Sequence, residues 1–267
     1  MTADTHTRAH TVHADDRPIA IELDEVTFAY PGVRPIVDGF SWRVGEGESW
    51  SILGPSGSGK TTLLYLMAGL RKPQTGRVLL NGELVKGPSH EVGLMLQDYG
   101  LLPWLTAERN VQLGLKIRNV PRGDRHRIRA AWLDRMQIAH VAKQYPGQLS
   151  GGQRQRVALA RVLALQTDIL LLDEPLSAVD ELTRERLQKR LRAIRMELGV
   201  TMMMVTHSVE EAALLTDNVL IFPEDGALRD PVVMRSPFVG LGAVELPGRD
   251  HPDFLRFTRQ IREALGL

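Results

Sequence analysis

The stretch that most constrains how this chain folds is GPSGSGKTT, Gly54 to Thr62, set between the apolar run Trp50-Ser51-Ile52-Leu53 and an apolar helical stretch, Thr62 to Leu70. It fits the pattern GxxxxGKT with Gly54, Gly59, Lys60 and Thr61. Each part has its own physical task. Glycines let the backbone wrap close to phosphate oxygens, amide hydrogens at a helix start donate to them, the Lys60 ammonium supplies a mobile positive charge, and the Thr61 hydroxyl can ligate magnesium. The plainer alternative is a flexible Gly/Ser loop. The order strand, Gly-rich loop, helix argues against it, because that order is an α/β nucleotide-binding unit.

The surrounding chain supports such a unit. From Ile19 to Phe28 apolar and polar residues nearly alternate, predicting a half-buried strand, and residues 36 to 53 read as one or two more. After Ser150 come a helix over about 151 to 165, an apolar strand from Asp168 to Leu172, and a helix from about 180 to 198 with Leu187, Leu191, Ile194 and Leu198 on one face. A strand (Val200 to Val205), a short helix (Ser208 to Leu215) and a strand (Asn218 to Phe222) follow. This β/α alternation implies a parallel sheet. Between them, residues 105 to 145 read as a helical insertion, with Ile128, Ala131, Trp132, Met136 and Ala139 at helical spacing. Within it, Val111, Leu113, Leu115 and Ile117 alternate as a strand would. Residues 1 to 17 are polar and aperiodic, a disordered arm whose His6, His10 and His13 read as solvated rather than metal-binding. Residues 223 to 250 are rich in Pro and Gly, and Asp253 to Leu265 is a terminal helix, with Phe254, Phe257 and Ile261 packing on the body.

Composition narrows the function. The 267 residues, 43% hydrophobic, can bury a substantial core. A balance of 33 basic against 32 acidic residues gives no global field to gather nucleic acid or anionic lipid, so anion binding must be local. The absence of cysteine removes disulfides, thiolate metal sites and cysteine nucleophiles. The longest aliphatic runs are too short for a membrane helix, and residues 1 to 18 lack the apolar segment of a signal peptide. A cytosolic chain that does not itself span a membrane is expected.

Two further motifs carry chemistry. In DILLLDE, residues 168 to 174, an apolar strand ends in two carboxylates. Asp173 is placed to hold magnesium through water and Glu174 to polarise a water for attack on a γ-phosphate. Alone, such a pair is usually surface charge; GPSGSGKTT upstream reverses that. LSGGQRQR, residues 149 to 156, puts Ser150, Gly151 and Gly152 at a helix start, which suits either anion binding or simple capping by Ser150.

Taken together, these motifs resemble the ATP-binding cassette (ABC) ATPases, over about residues 19 to 225. The resemblance implies an α/β fold, a P-loop NTPase with a RecA-like parallel-sheet core, an antiparallel β subdomain and a helical subdomain at about 98–160. An arm (1–18) precedes this domain and an extension (226–267) follows it. The cofactors implied are ATP and Mg2+. The family's phosphate loop falls on Gly54, Pro55, Ser56, Gly57, Ser58, Gly59, Lys60, Thr61 and Thr62, and its Q-loop glutamine on Gln97, which with Thr61 and Asp173 belongs to the metal set. The signature motif falls on Leu149 to Gln153, taking in Ser150, Gly151, Gly152 and Gln153. The magnesium aspartate is Asp173, the catalytic glutamate Glu174, the D-loop Ser177-Ala178-Val179-Asp180, and the switch histidine His207, with Lys60 and Gln97 also catalytic. Tyr30 stands where the family carries an aromatic that stacks on adenine; its plainer role is a strand-end tyrosine. One phosphate loop and one signature motif per chain imply a head-to-tail homodimer, in which Ser150 of one subunit closes on the ATP held by Lys60 of the other.

The stretch LQDYGLLPWLT, residues 96 to 106, sharpens the resemblance to the bacterial importers of nitrate, sulfonate and taurine. Its uncharged Leu101 to Trp104 suits docking of a helix from a membrane subunit, against the alternative of buried core. The resemblance implies two permease subunits docking near Gln97 to Trp104, a separate solute-binding protein, and a peripheral place on the cytoplasmic face of the inner membrane. Exporter ATPases, and soluble relatives in DNA repair or translation, share the catalytic motifs and differ in partner. The arginines Arg118, Arg122, Arg125, Arg127, Arg129 and Arg135 invite a nucleic-acid reading, but with Trp132 as the one interleaved aromatic they read as a solvated helix face, and no nucleic-acid partner is expected.

Overall fold

A computed structural model describes residues 17–223, 227–241 and 248–267. Most of the expected N-terminal arm, with its three histidines, and part of the C-terminal extension lie outside these residues. In chain order the elements are β1 (Ile19–Phe28), β2 (Val37–Gly45), β3 (Ser49–Leu53), α1 (Lys60–Met67), β4 (Thr75–Leu80), β5 (Glu83–Leu84), β6 (Val92–Met95), α2 (Ala107–Val111), α3 (Leu113–Ile117) and α4 (Arg122–Arg135). They continue as α5 (Gly151–Leu163), β7 (Ile169–Asp173), α6 (Glu181–Leu198), β8 (Thr201–Val205), α7 (Val209–Leu215), β9 (Asn218–Ile221), β10 (Val232–Arg235) and α8 (Pro252–Ala264). Two compact units emerge. One holds the chain up to Ser89, His207 to Gly240 and residues 248 onward; the other holds His90 to Thr206 with Leu241.

In the first unit an antiparallel sheet runs in the order β2-β1-β4-β5. The near-alternation of β1 slips phase between Leu23 and Val26, and there the register against β2 shifts by a bulge. Glu25 takes φ 48°, and its amide donates to Ser41 Oγ at 2.9 Å. The bulge returns Val26 and Phe28 to the buried face after Ile21 and Leu23. It also pushes backbone toward β4, where Gly76 has φ 75°; a Cβ on Gly76 would lie 2.3 Å from the Glu25 carbonyl oxygen. The same unit carries β3, which pairs in parallel with β9, while β10 pairs antiparallel with β9. Trp42 of β2 and Trp50 of β3 meet edge to face at 4.9 Å, both fully buried. The Trp50 indole N–H donates to the buried carboxylate of Glu48 at 2.8 Å, so its polar edge is satisfied. On α8, Phe254, Phe257 and Ile261 form a buried stripe at helical spacing, and the helix packs on α7, where Arg262 also bonds Glu210.

In the second unit β6, β7 and β8 form parallel pairs, with Val92 opposite Ile169 and Asp173 opposite Val205. All five residues of β7 are buried, as an apolar run without alternation requires when both faces are covered. Residues 107–163 hold the four α-helices α2 to α5 and two short 3-10 turns, Ala139–Val141 and Pro146–Gln148. The strand-like alternation of Val111 to Ile117 folds as the end of α2 and all of α3, with Val111 and Leu115, one helical turn apart, buried and Ile117 65% exposed. The alternation spans seven residues, long enough for a strand, but the chain enters it from a helix capped at Thr106, whose Oγ1 accepts the Arg109 amide, and continues the helical path. Helix α6 is bounded as its sequence suggests, by Asp180 accepting the Thr183 amide at 3.1 Å and by Gly199 at φ 63°.

The bulge yields a prediction. Gly76→Ala should lower stability by more than Gly82→Ala, because both need positive φ, at about 1–2 kcal/mol for an L residue, while only Gly76 faces backbone. Equal shifts of the denaturant midpoint for the two variants would contradict the proposed close packing.

Candidate functional site

In the first unit, β3 delivers the chain into the loop Gly54–Gly59. The hydrogen bond from the Phe222 amide to Leu53 O, 2.8 Å, ends the parallel pairing just where the loop starts. Gly54 (φ 147°) would place a Cβ 2.7 Å from that of Phe222, and Gly59 (φ 105°) would place one 2.0 Å from Cγ2 of Ile36, so neither position admits a side chain. Lys60, the first residue of α1, is 5% exposed, and its ammonium donates to the carbonyls of Gly54 at 2.9 Å and Pro55 at 2.6 Å. The loop thus closes on its own cation. Gly59 caps α1 with no side-chain hydrogen bond, and among the described residues the buried Ser58 Oγ has no hydrogen-bond partner. A backbone cradle, a lysine ammonium and an orphaned hydroxyl fit phosphate oxygens.

Tyr30, two residues past β1, is brought to this loop. Its hydroxyl lies 3.4 Å from Thr62 Oγ1, a contact that holds the phenol below its usual pKa against the opposing effect of burial. Its ring meets Phe28 edge-on at 5.1 Å, and the Arg71 guanidinium lies 5.9 Å from its centroid. His207, exposed, stands between β8 and the cap of α7, where Ser208 Oγ accepts the Glu211 amide at 3.1 Å.

The second unit gathers the remaining residues singled out in the sequence. Asp173 ends β7 and is buried, and Glu174 follows with φ 49°. A left-handed glutamate is uncommon and costs free energy unless it is held in place. Here the Glu174 amide donates to Val205 O at 2.9 Å, while its carbonyl accepts from Gln155 Nε2 at 3.3 Å and Ser177 Oγ at 3.2 Å. Its carboxylate accepts from Gln97 Nε2 at 3.2 Å, so two residues that sequence alone could only pair by resemblance are in contact. Gln155, fully buried in α5, is a positioning residue that the sequence reading missed; two residues past the signature string, it carries no distinguishing pattern of its own.

Ser150 caps α5. Its Oγ accepts the Gln153 amide at 3.2 Å, and Gln153 Oε1 accepts the Ser150 amide at 2.8 Å, a reciprocal capping box. Gly151 and Gly152 lie against the D-loop, with a Cβ on Gly152 falling 2.9 Å from Val179 Cγ1. Asp180, at the end of that loop, caps α6, and the hydrogen bonds from Thr183 hold its carboxyl below the ordinary aspartate range.

After Gln97 the chain turns through Tyr99 (φ 66°) and Gly100 (φ 51°), whose carbonyls accept from Arg161 at 2.5 Å and 2.6 Å. Burial lowers the Arg161 pKa, and Asp98 opposes the shift. Beyond the turn, the fully buried Asn110 of α2 fixes the backbone. It accepts the Leu102 amide at 2.8 Å and donates to the carbonyls of Leu102, Leu105 and Thr106. Leu101 and Leu102 are half-buried, whereas Pro103 and Trp104 are exposed, Trp104 by 68%. The segment is a held surface and not core.

Known proteins extend this picture. The model of the ABC transporter family matches residues 37–177. A taurine import ATP-binding protein of Chromobacterium violaceum is 44% identical over 221 residues, 82% of this chain and 84% of that protein. A nitrate import ATP-binding protein of Synechocystis sp. is 42% identical over 207 residues, 75% of this chain and 31% of that one. Among solved structures, a dimeric post-hydrolysis ATP-binding cassette bound to ADP and Pi aligns with a TM-score of 0.73 at 30% identity, covering 80% of this chain and 98% of its own. With a cradle of this form and relatives of this likeness over most of its length, the chain belongs to the ABC transporter family, as an ATP-binding cassette ATPase.

Proposed function

We propose that this ATPase energises uptake of a small anion of the taurine or nitrate class by a bacterial importer. The observation that carries the reading is the 44% identity to a taurine import ATP-binding protein over 221 residues. In this reading Gly54–Thr62 binds the ATP phosphates, Lys60 neutralises charge that builds on them, and Tyr30 stacks on adenine. Thr61, Asp173 and Gln97 hold Mg2+, which supplies charge neutralisation when bound. Glu174 polarises the attacking water, kept in orientation by Gln97 and by the three hydrogen bonds on its backbone. His207 bonds the γ-phosphate. Ser150, Gly151, Gly152, Gln153 and Asp180 serve the nucleotide of a second copy in a head-to-tail dimer.

Coupling runs through the segment beyond Gln97. The exposed Trp104 and Pro103, on a backbone pinned by Asn110 and Arg161, offer an apolar ledge to a helix of each of two permease subunits. A solute-binding protein outside the cell selects the anion, and the ATPase sits peripherally on the cytoplasmic face of the membrane. Among the described residues no helix is long and apolar enough to cross a membrane.

Three measurements check the reading. Glu174→Gln should reduce steady-state ATP hydrolysis by about 10²–10⁴-fold with nucleotide affinity retained, and undiminished turnover would remove Glu174 from the role of base. Trp104→Ala should depress solute uptake or permease co-purification more than basal ATPase activity; normal uptake would refute the ledge. Deleting the gene should abolish uptake of labelled taurine or nitrate, restored by the wild-type chain. Unchanged uptake of both, or purification with ribosomes or DNA in place of a permease, would overturn the assignment.

A further inference from the structure

The arginines of α4 do not all face solvent. Helices α2, α3 and α4 border an open cleft of about 360 Å3, lined by Arg109, Lys116, Arg122, Arg125 and Arg129 against one carboxylate, Glu108. Glu108 is already engaged, since Arg129 lies 3.5 Å from it and also donates to Gln112 Oε1 at 3.3 Å. The Nε of Arg129 is buried with no hydrogen-bond partner. Among the described residues, Arg109, Lys116, Arg122 and Arg125 make no ion pair. Arg127, on the same helix but outside the cleft, is paired with Asp124. In a chain whose formal net charge is only +1, this is a sharp concentration of cations within one concavity.

The lining restricts what can enter. It contains no aliphatic or aromatic side chain beyond the imidazole of His126, so nothing would bury an apolar body or stack a base. Four of the five cations are arginines, whose planar forks pair with tetrahedral oxyanions through two hydrogen bonds at once. A singly charged anion would leave most of the cations uncompensated. We propose that this cleft binds a compact anion carrying two or more phosphoryl groups, either a soluble oligophosphate or the headgroup of a diphosphatidyl lipid. Such an occupant would tie α4 to α2, the helix whose Asn110 sets the backbone of Leu102 to Thr106.

The test uses the full chain. Inorganic tripolyphosphate is titrated calorimetrically, and vesicles with and without cardiolipin are sedimented with the protein; binding to the first assigns a soluble source, binding to the second a lipid source. Because the phosphate loop also receives phosphates, the titration is repeated on Lys60→Ala, which should keep the binding to the cleft. Arg122→Glu with Arg125→Glu should weaken binding at least tenfold while ATP hydrolysis persists, and Arg127→Glu should leave it unchanged. If the charge reversals fail to fold, Arg122→Gln with Arg125→Gln should still weaken binding. Binding of neither probe by the wild type, loss of all binding in Lys60→Ala, or an equal loss in Arg127→Glu would overturn the proposal.

Discussion

The fold of the first unit depends on the close approach at the two ends of its phosphate loop. Gly54 must pass against Phe222 and Gly59 against Ile36, and no residue with a Cβ fits either contact. These contacts fix where β3 ends, where α1 begins, and that residues around 36 and 222 come to one place although far apart in sequence. With the loop so confined, the carbonyls of Gly54 and Pro55 converge on the Lys60 ammonium, which ties the two ends of the curve together. The cost of turning carbonyls toward one another is offset by the lysine ammonium.

Glu174 shows a second kind of confinement. Its left-handed backbone is tolerated because Val205, Gln155 and Ser177 bond its amide and carbonyl. Strain of this kind survives where the neighbourhood over-determines the conformation, and such places concentrate at reactive groups. Gln155 comes from α5 and Ser177 from the loop between β7 and α6, the two segments that meet at the glutamate. A displacement of either segment would act on the backbone of Glu174, from which the carboxylate projects.

Much of this was legible in the sequence, for reasons that differ between residues. The order β3, loop, α1 was readable because each part has its own residue signature. The slip of phase at Asp24 and Glu25 was also visible as a flaw in the alternation of β1, and the bulge accounts for it. By contrast, β4, β5 and β6 gave no expectation: β4 is exposed over its first three residues, so half its length shows no burial pattern, and β5 has two residues. β10 hid inside a Pro/Gly-rich tract, as four residues of an edge strand paired on one side. Val111 to Ile117 imitated a strand because two short helical turns place apolar residues at even spacing. Contacts made by a single side chain across loops, such as those of Asn110, Gln155 and Arg161, leave no periodic trace at all. The arginine run was seen, but convergence on a cleft depends on α2 and α3 lying opposite α4, which a linear count of charges does not contain.

Asn110 separates the path of the chain from its surface. Because this one side chain fixes the carbonyls and amide of Leu102 to Thr106 through its own four hydrogen bonds, the backbone there does not rely on what Pro103 and Trp104 present. Their side chains are therefore open to replacement with little cost to folding. The outward residues can thus change by one or two substitutions while the frame beneath them, held by Asn110, stays as it is.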